Sequence, residues 1–589
     1  MTTATSPMDG WKTLPWRRFE RAVFKLQTRI YRAEQRGNVQ MVRRLQRLLV
    51  RSRAAKSLAV RRVTQDNRGK RTAGVDGVKS LTPPQRLSLT QDLTLTPRVS
   101  PTRRVWIPKT GTDEQRPLGI PTVRDRAAQA LLKLALEPEW EAKFEPNSYG
   151  FRPGRSAHDA IDAIHGGLCL KPKYVLDADI AKCFDRIDHQ ALLRKLNTAP
   201  RFRRVIKAWL QAGVMDGEQL FPTLAGTPQG GIVSPLLANI ALHGLETAIV
   251  SSVPYRLSTG AKELWKPVVV RYADDFVVMH QDRATVEQLQ QVVTDWLADL
   301  GLELKPSKTR ITHSRDGFDF LGFHIRQYAV GKTHSARRAR VQGPARLLGC
   351  KTIIKPSHEA IQRHTTALRA IVQSHKAVPQ AALIRRLNPC IRGWTNYYST
   401  VSAKITFRTM DFQMYAKLRH WALRRHHNKG RAWVAHKYWR LERGTWDFAT
   451  PDGIRLYQHT RTPIRRHVKV RGAKSLYDGD WRYWATRLGR HPELPKRVTY
   501  LLRKQRGRCG SCTWYFQDTD VLEVDHIIPI TRGGRDETSN LQLLHGHCHD
   551  LKTAADRSAA AGALDTSQTI EEPDAGKLAR PVLKAGGRG

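Results

Sequence analysis

At 589 residues and 40% hydrophobic content, the chain exceeds what one core supports and has apolar material for several. Its 100 Lys and Arg against 52 Asp and Glu give a formal charge of +48, beyond any need of solubility, so a polyanionic partner is expected. No apolar run approaches the ~20 residues of a spanning helix, and the basic residues form no single juxtamembrane block, which argues against a membrane as that partner.

The opening MTTATSPMDGWKTLPW lacks a charged segment followed by an apolar one, so no signal peptide is expected and the chain should stay in the cytoplasm. Residues 11 to 60 carry Trp16, Val23, Leu26, Ile30, Val42, Leu45, Leu48 and Leu49 at helical spacing on a basic background, which predicts paired amphipathic helices. They would serve as a cap on the next domain or as a surface for RNA. Residues 71 to 120 are punctuated by Gly74, Gly77, Pro83, Pro84, Pro101 and Pro108, so loops and hairpins should dominate there. At Thr122, with Asp125 three residues on, a helix should open and turn Leu131, Leu132, Ala135, Leu136 and Trp140 to one face. YVLDADI at 174 to 180 reads as a strand, a helix should begin near Asp188, and VVVRYADDFVVM at 268 to 279 reads as two strands joined by a tight turn. Helices and strands thus mix in one domain up to about residue 325.

Between 331 and 500 there are 36 Lys and Arg against 8 Asp and Glu, and seven of the fifteen tryptophans. Such interleaving suits backbone neutralisation with base stacking. Equally, each tryptophan could anchor a small helical core. Residues 557 to 589 lack periodicity and read as a disordered tail. Cys169, Cys183, Cys350 and Cys390 read as isolated thiols, since seven oddly spaced cysteines do not make a disulfide framework.

Asp274 and Asp275 stand side by side between apolar β-branched runs, and alone they could be turn chemistry. Asp179 changes the reading, because it ends another apolar strand, five residues before Phe184. A strand end and a hairpin tip could bring three carboxylates together, where they would resist ionising unless cations filled the gap. Hard oxygen ligands favour Mg²⁺, and two such ions ~3.5 to 4 Å apart serve nucleotidyl transfer.

YADD at 272 to 275, the Asp179 to Phe184 spacing, GTPQGGIVSPLLANI at 226 to 240, GLELKPSKT at 301 to 309 and FDFLGF at 318 to 323 appear in the order of the reverse-transcriptase blocks. With RPLGIPTVRDR and NSYGFRPGRSAHDA upstream, the chain resembles the reverse transcriptase and maturase family of group II intron-encoded proteins. The resemblance implies that Asp179, Asp274 and Asp275 bind Mg²⁺, that Phe184 is a steric gate beneath the sugar, and that Gln229 lies near the incoming nucleotide and template. It further implies that Lys308, with Lys109 and Arg116 from the fingers, offsets triphosphate charge, although any of these could be a solvated surface cation.

RRLNPCIRGWTNYYS at 385 to 399 resembles the maturase thumb signature, continued by KLRHWALRRHH at 417 to 427, and implies binding of structured intron RNA. There Asn388-Pro389 suits a helix start, and Arg392, Trp394 and Tyr397 offer a cation and two π-faces, or, preferably for Trp394, thumb core. CGSC at 509 to 512 and HGHCH at 545 to 549 read as zinc-knuckle halves, and the segment from Glu523 between them resembles the HNH nuclease motif, with Gly533 and Gly534 marking its loop. That resemblance implies a divalent ion on Asp525 and His549, His526 as general base, and Asn540 orienting the loop that carries it. Structural Zn²⁺ would be held by Cys509, Cys512, Cys548 and a fourth ligand, His545 or alternatively His547.

The expected fold is α+β and multidomain: a right-hand polymerase (fingers and palm) with a helical thumb (maturase X), a basic DNA-binding region and a ββα-metal HNH module. The expected boundaries are 1–70 for a basic helical extension, 71–330 for fingers and palm, 331–430 for the thumb, 431–500 for DNA binding, 501–556 for HNH and 557–589 for the tail. The expected function is a group II intron reverse transcriptase and maturase that assists splicing, nicks target DNA and copies intron RNA by target-primed reverse transcription. Intron RNA, target double-stranded DNA and dNTPs are the partners. A maturase with a vestigial polymerase, or a reverse transcriptase outside introns, are the rivals.

Overall fold

The computed structural model describes residues 10–108, 115–253, 266–331, 337–338, 346–442, 444–488, 494–516 and 520–561. The N-terminal region forms three helices, one more than the predicted pair: α1 (Trp16–Gln35), α2 (Val39–Arg51) and α3 (Arg53–Arg61). Asn38 and Ser52 divide them by capping the backbone N–H of Met41 and Ala55. Pro83 opens a further helix, α4 (Pro83–Asp92), inside the stretch expected to be loops and hairpins. Proline fits the first helical turn because the N–H it lacks would have no partner there, and Thr82 with Gln85 closes a capping box.

Strand β1 (Thr102–Pro108) pairs antiparallel with β2 (Gln115–Ile120). α5 (Val123–Lys143), capped by Thr122, buries Leu131, Leu132, Ala135 and Leu136 in one core with Val23, Ile30, Val42 and Leu49 of the N-terminal helices. α6 (Ala157–Leu168) precedes β3 (Tyr174–Asp179) and the single turn α7 (Cys183–Arg186). Short strands β4 (Val214–Asp216) and β5 (Gln219–Phe221) extend the first sheet in the order β2-β1-β4-β5.

The second sheet carries β6 (Val268–Tyr272), β7 (Asp275–His280) and β8 (Arg310–His313) in the order β6-β7-β3-β8. Its period-two alternation divides the side chains between two cores: Val269, Phe276 and Val278 join the N-terminal one, whereas Val270, Val277 and Met279 face the other. A one-residue slip would exchange the two sets, so the register rests on the fit of each set to its own core.

Beyond residue 350, helices His358–Ser374, Gln380–Tyr398 and Lys404–Arg425 pack around Leu368, Leu383, Leu387, Ile391, Met414 and Leu418. Asn388 and Pro389 lie within the second of these instead of starting a helix. The Asn388 amide is engaged elsewhere: Nδ2 donates to Arg455 O at 2.8 Å and Oδ1 accepts from Tyr457 N at 2.7 Å, so tertiary pairing overrides the local capping preference. Trp421, Trp439 and Trp484 are buried and Trp394 is half-buried, stacked on His364 at 4.4 Å, so core anchoring accounts for them; Trp433 and Trp446 are exposed.

The chain then returns to α6. Asp159, fully buried, accepts from Val470 N at 2.9 Å and pairs with His467 at 3.1 Å and with Arg487. Arg155 donates to the carbonyls of Gly472 and Lys474, and Gly154 leaves room for the Trp484 ring, which a Cβ would meet at 2.6 Å. The FRPGRSAHDA motif therefore serves in part as an anchor for residues 467 to 487.

The C-terminal module is a hairpin of Leu522–His526 with Leu541–His545, followed by helix Gly546–Ala561. That helix runs into the first residues of the stretch expected as a disordered tail, and the rest of the stretch, 562–589, lies outside the described residues. Cys169, Cys183, Cys350 and Cys390 form no disulfide among the described residues, and no described helix is long and apolar enough to cross a membrane.

Candidate functional site

Antiparallel pairing sets Asp179, at the end of β3, opposite Asp275, at the start of β7, with Tyr272 across from Asp275 on β6. Asp274 occupies the turn, whose tightness puts Ala273 at φ +59°, a left-handed conformation costly for a residue with a Cβ. The cost is met by a buried framework. Arg271 Nη1 donates to Ala273 O and to Asn239 Oδ1, both at 3.1 Å, while Asn239 Nδ2 donates to Gly150 O at 2.8 Å. Gly150 itself passes so close that a Cβ there would lie 2.3 Å from Ala273 N. Sequence reasoning missed this framework; its signal was a glycine in NSYGF and an asparagine in an otherwise apolar helix.

The three carboxylates are crowded and short of positive charge. Burial, then the neighbouring Asp274 and Asp179, push the Asp275 carboxyl up to about 7, and burial with Asp179 raises Asp274. Two cations oppose the rise at Asp274, Lys308 and Arg116. Lys308 Nζ lies 2.8 Å from Asp179 Oδ2, carried by the turn Pro306–Lys308, which hangs from Asp179 through Lys305 N donating to its carbonyl at 2.8 Å. Arg116 reaches the region from β2, opposite Ile107; Lys109 lies outside the described residues. Asp177, two residues before Asp179 and so on the same strand face, was also missed; burial pushes it up to about 6 against the partial relief of Arg310.

Phe184 stands on α7, half-buried, with Phe151 edge-on at 6.0 Å. The GTPQGG loop closes over its backbone, since Thr227 N donates to Phe184 O and Gly226, at φ +83°, has no space for a Cβ beside Asp185. Gln229 is half-buried on the same loop, and its carbonyl accepts from Gly119 N of β2 at 2.6 Å. These contacts tie the loop, α7 and β2 into one unit.

In the C-terminal module Asp525, one residue before the end of the first strand, faces His549 Nε2 at 3.8 Å, with Lys552 Nζ at 3.1 Å on its other oxygen. His526 Nε2 lies 3.2 Å from Asp536 Oδ1, a carboxylate also paired with Arg497. Asn540 braces the intervening loop: Oδ1 accepts from Ile528 N at 2.9 Å and Nδ2 donates to Ile528 O at 2.9 Å and Arg535 O at 3.0 Å. Gly534 passes within 2.0 Å of Ile528 O at its Cβ position, which only glycine tolerates. Asp536 and Lys552 had no distinguishing signal among the many charges of the segment.

Cys509, Cys512, His545 and Cys548, all buried, hold their ligand atoms within 4.8 Å of one another and could hold a metal ion. His545 Nε2 is oriented by Asp520 Oδ2 at 3.3 Å, an outer partner typical of metal-binding imidazoles. His547, the alternative fourth ligand, turns away and faces Glu20 of α1 at 3.4 Å.

Four family profiles match stretches of the chain. A profile described as "Reverse transcriptase (RNA-dependent DNA polymerase)" matches residues 107–325, and one for the "N-terminal domain of reverse transcriptase" matches 11–93. "Group II intron, maturase-specific domain" matches 361–439 and "HNH endonuclease" matches 509–555. The chain is 35% identical over 300 residues to Protein YkfC of Escherichia coli K12, covering 45% of this chain and 78% of that protein. It is 30% identical over 375 residues to the Group II intron-encoded protein LtrA of Lactococcus lactis, covering 51% of this chain and 61% of that protein, less than two thirds of its length. An uncharacterized 91 kDa protein in the cob intron of Schizosaccharomyces pombe is 30% identical over 372 residues, covering 53% of this chain and 45% of that protein.

Proposed function

The chain belongs to the group II intron-encoded reverse transcriptase and maturase family, and on that premise we propose that it copies intron RNA into DNA, assists intron splicing and nicks target DNA with its HNH module. The observation that carries the polymerase reading is the register that sets Asp179 against Asp275 beside Asp274, with the raised affinity of Asp274 and Asp275 for protons marking a site lacking cationic charge. Asp179, Asp274 and Asp275 fit Mg²⁺, an ion that when bound supplies activation of the primer 3′-hydroxyl and charge neutralisation at the leaving pyrophosphate. Lys308 and Arg116, joined by Lys109, steady the triphosphate, Gln229 contacts the incoming nucleotide and template, and Phe184 closes the space beneath its sugar. In this reading the β6-β7-β3-β8 sheet is the palm, β1 and β2 belong to the fingers, and the helices from 358 to 425 are the thumb, which binds intron RNA.

In the HNH module Asp525 and His549 hold a divalent ion, His526 takes the proton from the attacking water, and Asn540 fixes the loop that follows His526. Cys509, Cys512, His545 and Cys548 suit structural Zn²⁺ as a Cys₃His set. Residues 431 to 500 bind target double-stranded DNA, whose nicked 3′ end primes synthesis. Primer extension with dNTPs on an RNA template, and nicking of target duplex by the intron ribonucleoprotein, test the proposal together. A complete acidic set argues against a maturase with a vestigial polymerase, and absence of Mg²⁺-dependent incorporation would revive that rival.

Two expectations follow from the polymerase site. Phe184→Ala should raise ribonucleotide incorporation by about ten- to a hundredfold, because removing a ring that clashes with a 2′-hydroxyl restores ~1–3 kcal/mol to the disfavoured substrate. Competition between a dNTP and its ribonucleotide in single-turnover extension measures it, and unchanged discrimination would exclude the gate. The second concerns pH. With Asp275 near 7, a proton must leave before a cation binds, so apparent Mg²⁺ affinity should rise about tenfold from pH 6 to pH 8. The sign is that of a carboxyl raised on folding: without the ion its contribution to stability is present below the unfolded value and lost as pH rises through about 7, and the ion offsets that loss. Mg²⁺ titrations of extension rate at each pH provide the check.

A further inference from the structure

The zinc end of the C-terminal module is seated on the N-terminal helix. The Trp481 ring lies 4.3 Å from Phe24 of α1 on one side, and on the other lies 5.4 Å from Trp514, edge-on, and 6.2 Å from Tyr515, stacked. The Arg21 guanidinium sits 4.7 Å over the Trp514 ring, and Glu20 meets His547 at 3.4 Å. Trp514 and Tyr515 follow Cys512 in the loop of the Cys/His cluster, so that cluster is joined to α1 by aromatic, cation–π and polar contacts at once. The same segment as Trp481 is itself fixed: Tyr477 stacks on Phe24, and its hydroxyl donates to Glu137 Oε2 of α5 at 2.9 Å. Meanwhile Asp525, His526 and His549 stay partly accessible, beside exposed Ile527, Ile528 and Ile530.

We propose that α1, with Trp481, is a dock that holds the nuclease in one position relative to the polymerase site, so that the nick falls at a single phosphodiester. A module on a free tether presents its site to many phosphates in turn, whereas one held on a rigid helix selects the phosphate at a set distance. The dock covers the zinc end and leaves the hydrolytic face open to DNA. Its positional role rests on reading the module as a nuclease.

The test uses the full chain bound to its intron RNA and an end-labelled duplex of the sequences that flank the intron, comparing Arg21→Glu and Trp481→Ala with the unaltered protein. Amide exchange in residues 513–516 reports undocking, and polymerase activity with zinc content reports folding. Exchange there should rise at least about tenfold in both variants, with zinc retained in both and primer extension within about twofold for Arg21→Glu, which lies outside the DNA-binding region. The nick should spread over several phosphodiesters, with the original position losing about fivefold or more. Weaker DNA binding by Trp481→Ala would lower yield without moving the nick, so position is the deciding readout. A single unmoved position in an undocked variant, or unchanged exchange in both variants, overturns the dock. Absence of nicking by the unaltered chain defeats the nuclease reading itself, and the positional role with it, so that failure is distinguishable from one seen only in the variants.

Discussion

Asp274→Asn should reduce DNA synthesis on an RNA template by about a thousandfold or more, equivalent to ~4 kcal/mol of transition-state stabilisation. The substitution keeps side-chain shape, and the hairpin that carries it is held by Val269, Val270, Val277 and Val278 on two cores and by Arg271 beneath the turn, so the fold should persist. What is lost is one of three negative charges whose mutual repulsion makes the site bind cations. Asp275, relieved of a charged neighbour, should ionise more easily, which would move the pH dependence of residual activity downward. Single-nucleotide extension measures the loss, and a parallel splicing assay should stay within about twofold, because the isosteric change leaves intact both the core that Ala360, Tyr398 and Phe407 share with Val270 and Val277 and the further core the maturase helices build around Leu387 and Met414. Equal loss of both activities would contradict separate sites.

His526→Ala should lower nicking of target duplex by about a hundred- to ten-thousandfold, the range expected for removing a general base, with polymerisation unchanged. The ring lies at the end of a strand whose following residues are clamped by Asn540 through Ile527 and Ile528, so deletion of the imidazole leaves the loop in place. The measured quantity is the rate of appearance of nicked product on a denaturing gel. A loss below about tenfold would remove His526 from the base role and direct attention to His549, which faces Asp525.

The acidic hairpin was legible because period-two apolar runs define its strands, and because Asp179, ending another apolar strand, gave a reason for two adjacent acids that alone could be turn chemistry. The Cys/His cluster was legible by spacing, and only its fourth member needed coordinates, since His545 and His547 differ in what surrounds them and not in sequence position. The helix at Pro83 was misread because proline as a punctuator and proline as a helix opener look alike until a cap is recognised. Asn388-Pro389 failed for the converse reason, as a distant segment at 455 to 457 captured the side chain that would have capped. Asp177, Asp536 and the Arg271–Asn239–Gly150 framework were invisible because their importance comes from partners far along the chain.

The pairing of Asp159 with His467, Val470 and Arg487 also bears on synthesis order. Opposing its burial, hydrogen bonds from His467 and the charge of Arg487 hold this carboxyl well below the usual range, so it is ionised whenever residues 467 to 487, a strap across α6, are seated. On the ribosome α6 emerges some three hundred residues before these partners, and until they arrive Asp159 lacks the contacts that bury it. A shortened chain that ends near 500 keeps that strap while losing the nuclease and its contacts to α1, whereas one that ends before 460 leaves Asp159 without His467, Val470 and Arg487; this makes the C-terminal module detachable in a way the preceding segment is not.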